Sequence, residues 1–216
     1  AFLETDIFDL TVATRFNLFK NRLMVNASVG QRWDNLSETK LATSKRLIAA
    51  VNATAILSQK LSLNFNFHNF GMRNNVDNDT LKLEFVSNNL SVTPTYRFQS
   101  KNGAFHGFSM TYTQSDFEDK NLFSGIQSQN KSVTINGNYS LTFGNLNADI
   151  SYINIRNQRS IGDLKIQTAS IRAGYGFYNR KLTLSGSLVF SKINQISYSP
   201  NTRLLIRPRL KWQINK

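Results

Sequence analysis

Alternation with a period of two constrains this chain more than any other feature. Between residues 133 and 143 the odd positions hold Val133, Ile135, Gly137, Tyr139, Leu141 and Phe143, and the even ones hold Thr134, Asn136, Asn138, Ser140 and Thr142. A β-strand sends successive side chains to opposite faces, so such a segment has one oily face and one wet face. About eleven segments of this kind follow one another, joined by turns, with no helical stretch between them. The pattern predicts an all-β chain, the wall of an antiparallel transmembrane β-barrel with lipid on one side and polar groups on the other.

Composition narrows the alternatives. No run approaches the roughly 18–20 apolar residues that a membrane helix needs. A barrel spans a bilayer with the 40% hydrophobic content of this chain, because only every second residue meets lipid. The absence of Cys fits an oxidising compartment. Lys and Arg number 26 against 13 Asp and Glu, a net charge of +13. These basic residues are scattered along strands and turns and form no run. They predict contact with anionic lipid headgroups and a basic interior, with no nucleic-acid partner. The opening Ala1-Phe2-Leu3-Glu4-Thr5-Asp6 lacks the basic start and apolar core of a secretion signal. The expected start is therefore mature or internal.

Strands are expected at about 8–19, 23–34, 46–57, from 61, then at 81–98, 105–114, 133–143, 146–155, 166–178, 182–193 and 203–214. Tight turns are read at Lys20-Asn21-Arg22, Gly144-Asn145 and Asn179-Arg180, and long polar loops at 35–44, 74–79 and 115–130. Short and long connections alternate, and outer-membrane barrels have short periplasmic turns and longer outer loops. Odd strands then run downward and even strands upward. An odd count cannot close an all-antiparallel ring, and an open edge cannot stay unsatisfied in lipid. Residues 1–216 are therefore expected to be one domain, an incomplete barrel that other strands or subunits complete.

Phe19, Phe98, Phe143, Phe177 and Trp212 fall at the lower ends of odd strands, and Trp33 at the upper end of strand two. Aromatic residues gathered at strand ends predict girdles at the membrane interfaces. The phase of the alternation directs Arg15, Arg32, Arg97, Arg172, Arg203, Arg207, Arg209 and Lys211 to the inside. Such a basic wall would attract anions, unless Asp9, Asp34 and Asp149 pair with it and the side chains merely fill the interior. Pro94 and Pro208 lie mid-strand, where the missing N–H predicts a gap in the ladder.

Little else carries chemistry. The two His, His68 and His106, have no metal-ligand spacing, and no phosphate loop or nucleophile elbow is present. The Asn-rich stretch at 74–79 has oxygen ligands but lacks the Gly and distant Glu of a calcium loop. Asp116, Glu118 and Asp119 read as a solvated acidic cluster in an outer loop. No cofactor, metal site or catalytic residue is expected, and the chain reads as a non-enzyme.

The strings Asn17-Leu18-Phe19-Lys20-Asn21-Arg22-Leu23 and Asn88-Asn89-Leu90-Ser91-Val92-Thr93-Pro94-Thr95-Tyr96-Arg97-Phe98 resemble the hairpin ends of outer-membrane barrels from Bacteroidota. The resemblance is one of style over the whole chain. It implies a bacterial outer-membrane location, with the bilayer and its lipopolysaccharide as partners, but no substrate and no functional residue. The expected function is a pore or transport channel with a basic lumen. The alternative is a structural or docking subunit of a larger surface or secretion complex. A soluble β-sandwich and a barrel enzyme are less well matched.

Overall fold

The computed structural model describes residues 7–34, 43–75, 84–119, 128–159, 162–177, 182–195 and 198–212. Every element in these stretches is a strand: β1 (Ile7–Leu18), β2 (Leu23–Asp34), β3 (Thr43–Ile56), β4 (Leu61–Asn75), β5 (Glu84–Gln99), β6 (Phe105–Asp119), β7 (Ser128–Phe143), β8 (Leu146–Arg159), β9 (Leu164–Phe177), β10 (Leu182–Gln195) and β11 (Tyr198–Trp212). Each pairs antiparallel with the next in chain order, and the eleven form one continuous sheet. Among the described residues β1 and β11 do not pair, so the sheet is open.

Pairing register turns the alternation of single strands into two coherent faces. One row runs Leu18, Leu23, Ala55, Leu63, Pro94 across β1 to β5. Its counterpart on the far side runs Tyr139, Ile150, Ile171, Leu188, Ile206 across β7 to β11. The opposite face is built from Asn, Ser and Thr. Its side chains bond across strands: Thr54 Oγ1 donates to Asn64 Oδ1 at 2.9 Å, and Thr168 and Ser191 share a bond of 3.0 Å.

Exposure shows which face is concave. On β10, Leu184, Leu188 and Phe190 are 52%, 47% and 46% exposed. The smaller Thr183, Ser185, Ser187 and Ser191 between them are half-buried. Side chains crowd on the inside of a curved sheet and splay on its outside, so the polar face is the inner one. Among the described residues the only buried hydrophobic residue is Ala104. The apolar rows therefore have no protein core, which rules out a closed two-sheet sandwich and leaves lipid as the medium that covers them.

The apolar band crosses the sheet on a diagonal. On β2 to β5 the row Trp33, Lys45, Arg73, Glu84 marks its upper border. On β10 the border has stepped down to Lys192, opposite Gln167. Counted along the pairing, that is eight residue positions, or four outer-face rows, lower, because the row holding Thr14, Ala27 and Val51 continues through Val133 and Arg156 to Lys165. Tilted strands with a constant stagger give such a diagonal, as barrel closure requires.

Several strands run further than alternation predicts. β6 reaches Asp119 and β7 begins at Ser128, with Asp116 opposite Lys131. Both ends of the expected loop at 115–130 are therefore strand, residues 120–127 lie outside the described residues, and the acidic cluster stands on β6. β8 extends to Arg159, and β11 begins at Tyr198. From β3 onward the strands have 14 to 16 residues, more than the roughly 9–11 that cross a bilayer. The outward Tyr112 and Tyr152 consequently lie mid-strand. The expected turn at Asn179-Arg180, most of the stretch at 74–79 and the end of strand eleven past Trp212 lie outside the described residues.

The first turn is tighter than most. Phe19, Lys20 and Asn21 take φ of 55°, 55° and 66°, and the Arg22 N–H donates to the Phe19 carbonyl at 3.2 Å. Non-Gly residues pay about 1–2 kcal/mol each for that left-handed conformation. At the Gly144-Asn145 turn the positive φ of 55° falls on glycine, where it is cheap. Pro94 interrupts pairing with β6 but not with β4: Leu63 stays opposite Pro94, while the β5–β6 pairs skip from Val92 to Thr95. A hydroxyl bond, Thr93 Oγ1 to Thr111 Oγ1 at 3.0 Å, spans the gap.

Candidate functional site: the basic inner face

The register puts Arg15, Arg32, Arg97 and Arg172 on the polar face. Arg15 stands opposite Asn26, Arg32 opposite Asp9, and Arg97 opposite Gly107. Arg172 stands between Asp149 and Ser187. On β11, Arg203, Arg207, Arg209 and Lys211 occupy the positions opposite Ser191, Ser187, Ser185 and Thr183. One row thus runs Asp149, Arg172, Ser187, Arg207 across four strands. Small residues stand opposite Arg97 and Arg172, namely Gly107 on β6 and Ser187 on β10.

Pairing divides this set. Arg32 is held: its Nε donates to Asp34 Oδ1 at 2.8 Å, and its Nη1 lies 3.9 Å from Asp9 Oδ2. Asp34 also receives Arg46 Nη2 at 3.1 Å and the Ser44 hydroxyl at 3.0 Å, and is 8% exposed. A carboxylate with this many donors locks the loop ends of β2 and β3 together. Arg15, Arg97 and Arg172 are exposed and form no ion pair among the described residues. Asp149 faces Arg172 in register without closing a salt bridge to it. Unpaired guanidinium groups keep their full capacity for an anion.

Arg46 and Ser44 are partners that the sequence did not announce. They meet Asp34 across a hairpin whose alternation is blurred by alanine on both faces of β3. Nor did the sequence announce the aromatic set on the inner face at the loop ends of β4 to β6. Phe70 and Phe85 have ring centres 5.6 Å apart, and Phe85 and Phe117 6.1 Å. Apolar residues in the inward phase at the upper ends of these strands were the available signal.

The aromatic residues expected at the interfaces occupy strand ends. Phe143 and Phe177 are the last residues of β7 and β9, and Trp212 is the last of β11. Phe98 is next to last in β5, Trp33 next to last in β2, and Phe19 lies in the first turn, 74% exposed. They form connected groups. Phe98 stacks on the His106 ring at 4.6 Å and 9°, and His106 Nδ1 lies 2.8 Å from the Tyr139 hydroxyl. Tyr175 meets Phe177 edge-on at 4.8 Å, and Phe8 meets Trp33 at 5.3 Å. His106 thus belongs to an aromatic stack.

No family model matches the chain, and no curated protein matches it. Solved structures do. The chain superposes on the outer membrane transporter YddB of Escherichia coli with a TM-score of 0.63 at 12% identity, over 95% of this chain and 36% of that one. It superposes on the siderophore receptor PirA of Pseudomonas aeruginosa with a TM-score of 0.63 at 8% identity, over 91% and 35%. For the alcaligin outer membrane receptor FauA of Bordetella pertussis the TM-score is 0.61 at 13% identity, over 97% and 39%. The chain therefore spans less than two fifths of the length of these structures. At such identities the likeness is one of fold, and the fold is that of the bacterial outer-membrane β-barrel wall.

Proposed function

We propose that these strands form part of the wall of a transport protein of the bacterial outer membrane, of the style found in Bacteroidota, with a basic lumen that favours anionic solutes. The observation that carries this reading is that Arg15, Arg97 and Arg172 share the polar face and form no ion pair among the described residues, with four more basic positions in register on β11. Fixed positive charge along a narrow wet passage lowers the energy of an anion there and raises that of a cation. The names of the neighbours, a transporter and two receptors, support a transport role. Further strands close the ring, and the apolar outer rows meet the bilayer and its lipopolysaccharide. The aromatic groups at the strand ends act as interfacial anchors.

The second reading is a structural or docking subunit of a larger surface complex. The Arg32–Asp34–Arg46 network favours it, because there the inner charges already satisfy each other. Reversal potentials of the full-length protein in planar bilayers separate the two. Wild-type protein is expected to select anions, less so as salt rises and the Debye length falls below about 10 Å at 0.1 M. Arg207→Gln with Arg209→Gln should shift the reversal potential toward cations. No conductance, or no shift, supports the structural subunit.

A further inference from the structure

The outer face of a barrel wall should carry few charges, since a charge at the bilayer midplane is strongly disfavoured. Among the described strand residues, the outward charges all lie at the loop ends: Lys45, Arg73 and Glu84 on one side of the sheet, and Asp116, Glu118, Lys131, Arg156, Lys165 and Lys192 on the other. The opposite ends of the outer rows are aromatic and aliphatic.

One pair among these is out of balance. Arg156 on β8 stands directly opposite Lys165 on β9, and like charges directly opposite each other destabilise a sheet. Their row continues to Val133 on one side and Asn194 on the other, with no carboxylate in it. Elsewhere the same juxtaposition is offset. Lys45 faces Arg73, but Glu84 follows Arg73 in that row. Lys131, by contrast, has the opposite charge of Asp116 across from it, and Asp116 also accepts from the Gln114 amide at 2.9 Å. Arg156 and Lys165 line an open recess of about 650 Å³ together with Lys131, Asp116 and the exposed Asp163. Lys192 lies one row below Lys165, so cations exceed carboxylates around the recess. Two rows below, the outer face is already Tyr152, Ala169 and Phe190.

From this placement we infer that the recess binds the phosphate group of an outer-leaflet lipid, a phosphorylated glycolipid of the lipid A type. The site sits where headgroups meet acyl chains. A phosphate between Arg156 and Lys165 supplies the counter-charge that the pairing lacks, while its acyl chains lie along the apolar rows beneath. The inference rests on the outer-membrane reading above, but it is independent of whether anything is transported.

The test is lipid binding by the full-length protein in detergent, followed by native mass spectrometry. The probes are diphosphoryl lipid A, the same lipid with its phosphates removed, and inorganic phosphate. Diphosphoryl lipid A should bind at least tenfold more tightly than the dephosphorylated form. Arg156→Gln with Lys165→Gln should erase that preference, and Lys60→Gln in the turn after β3 should keep it. Retained heat-modifiability on gels shows that each variant is folded, and the exchange pair Arg156→Lys with Lys165→Arg should still bind. Equal binding of the two lipids, or an unchanged preference in the double Gln variant, overturns the inference. Displacement of the lipid by millimolar inorganic phosphate also overturns it, since the site would then be one for free phosphate. Loss of anion selectivity with lipid binding intact would refute the transport reading alone.

Discussion

Asp34 shows what one residue can do in a wall with almost no core. Its carboxylate takes donors from Arg32, Arg46 and Ser44 and ties two loop ends together. Asp34→Asn keeps the shape and removes the charge, leaving two guanidinium groups without their counter-ion. With both Arg side chains about a third exposed, solvent screens part of the loss, and the expected cost is about 1 kcal/mol. Urea unfolding of the full-length protein in lipid vesicles should show a lowered midpoint for Asp34→Asn and none for Asp149→Asn, whose carboxylate closes no described ion pair. Equal midpoints for Asp34→Asn and wild type would mean that the network is decorative. The sequence offered Asp34 as a possible partner for the inner arginines. It could not offer Arg46 or Ser44, because their proximity is created by hairpin register across residues 35–42 and not by local pattern.

At the scale of elements, legibility tracked the contrast between faces. β2, β4, β7 and β10 alternate sharply between apolar and polar residues, and their cores were readable at once. The upper parts of β6 and β8 were not. There Ser115 and Asp116, or Arg156 through Arg159, are polar on both faces, and a period of two vanishes when both sides are wet. Those stretches were read as loop although the ladder continues through them. The same contrast predicts how substitutions behave. Leu188 lies on the outer face within the apolar band, and Ser187 is its inward neighbour. Leu188→Arg should destabilise the barrel in lipid by about 2–4 kcal/mol, while Ser187→Arg should cost far less. Vesicle unfolding titrations of the two variants check this, and similar losses for both would contradict the assignment of faces.

For the whole molecule, the decisive fact is an edge at each side. β1 and β11 each leave one flank of backbone N–H and C=O groups unpaired among the described residues. In hydrocarbon each such group costs several kcal/mol unless something bonds it. Residues 1–216 refolded by themselves into vesicles should therefore give no protease-resistant, heat-modifiable monomer, whereas the full-length protein should. A compact resistant monomer from this stretch alone would show that β1 and β11 can close on each other. The fold class and the open wall were legible because alternation and strand count are both written locally. The charge pattern of the inner face was less legible, because it is set by residues brought together from strands far apart in sequence, as in the row from Asp149 to Arg207.

The diagonal course of the apolar band makes the wall behave like a turn of screw thread. A thread that descends across the sheet from Trp33 to Lys192 meets itself only when its steps have added up to the stagger at which a ring closes. In the closed ring proposed above, the completing strands would have to supply the remaining pitch as well as the missing hydrogen bonds. A partner strand offset by one residue would present its wet side to the acyl chains. The two edges accordingly act as a matched key, and they select the strands that fit between them by register before any side chain is compared.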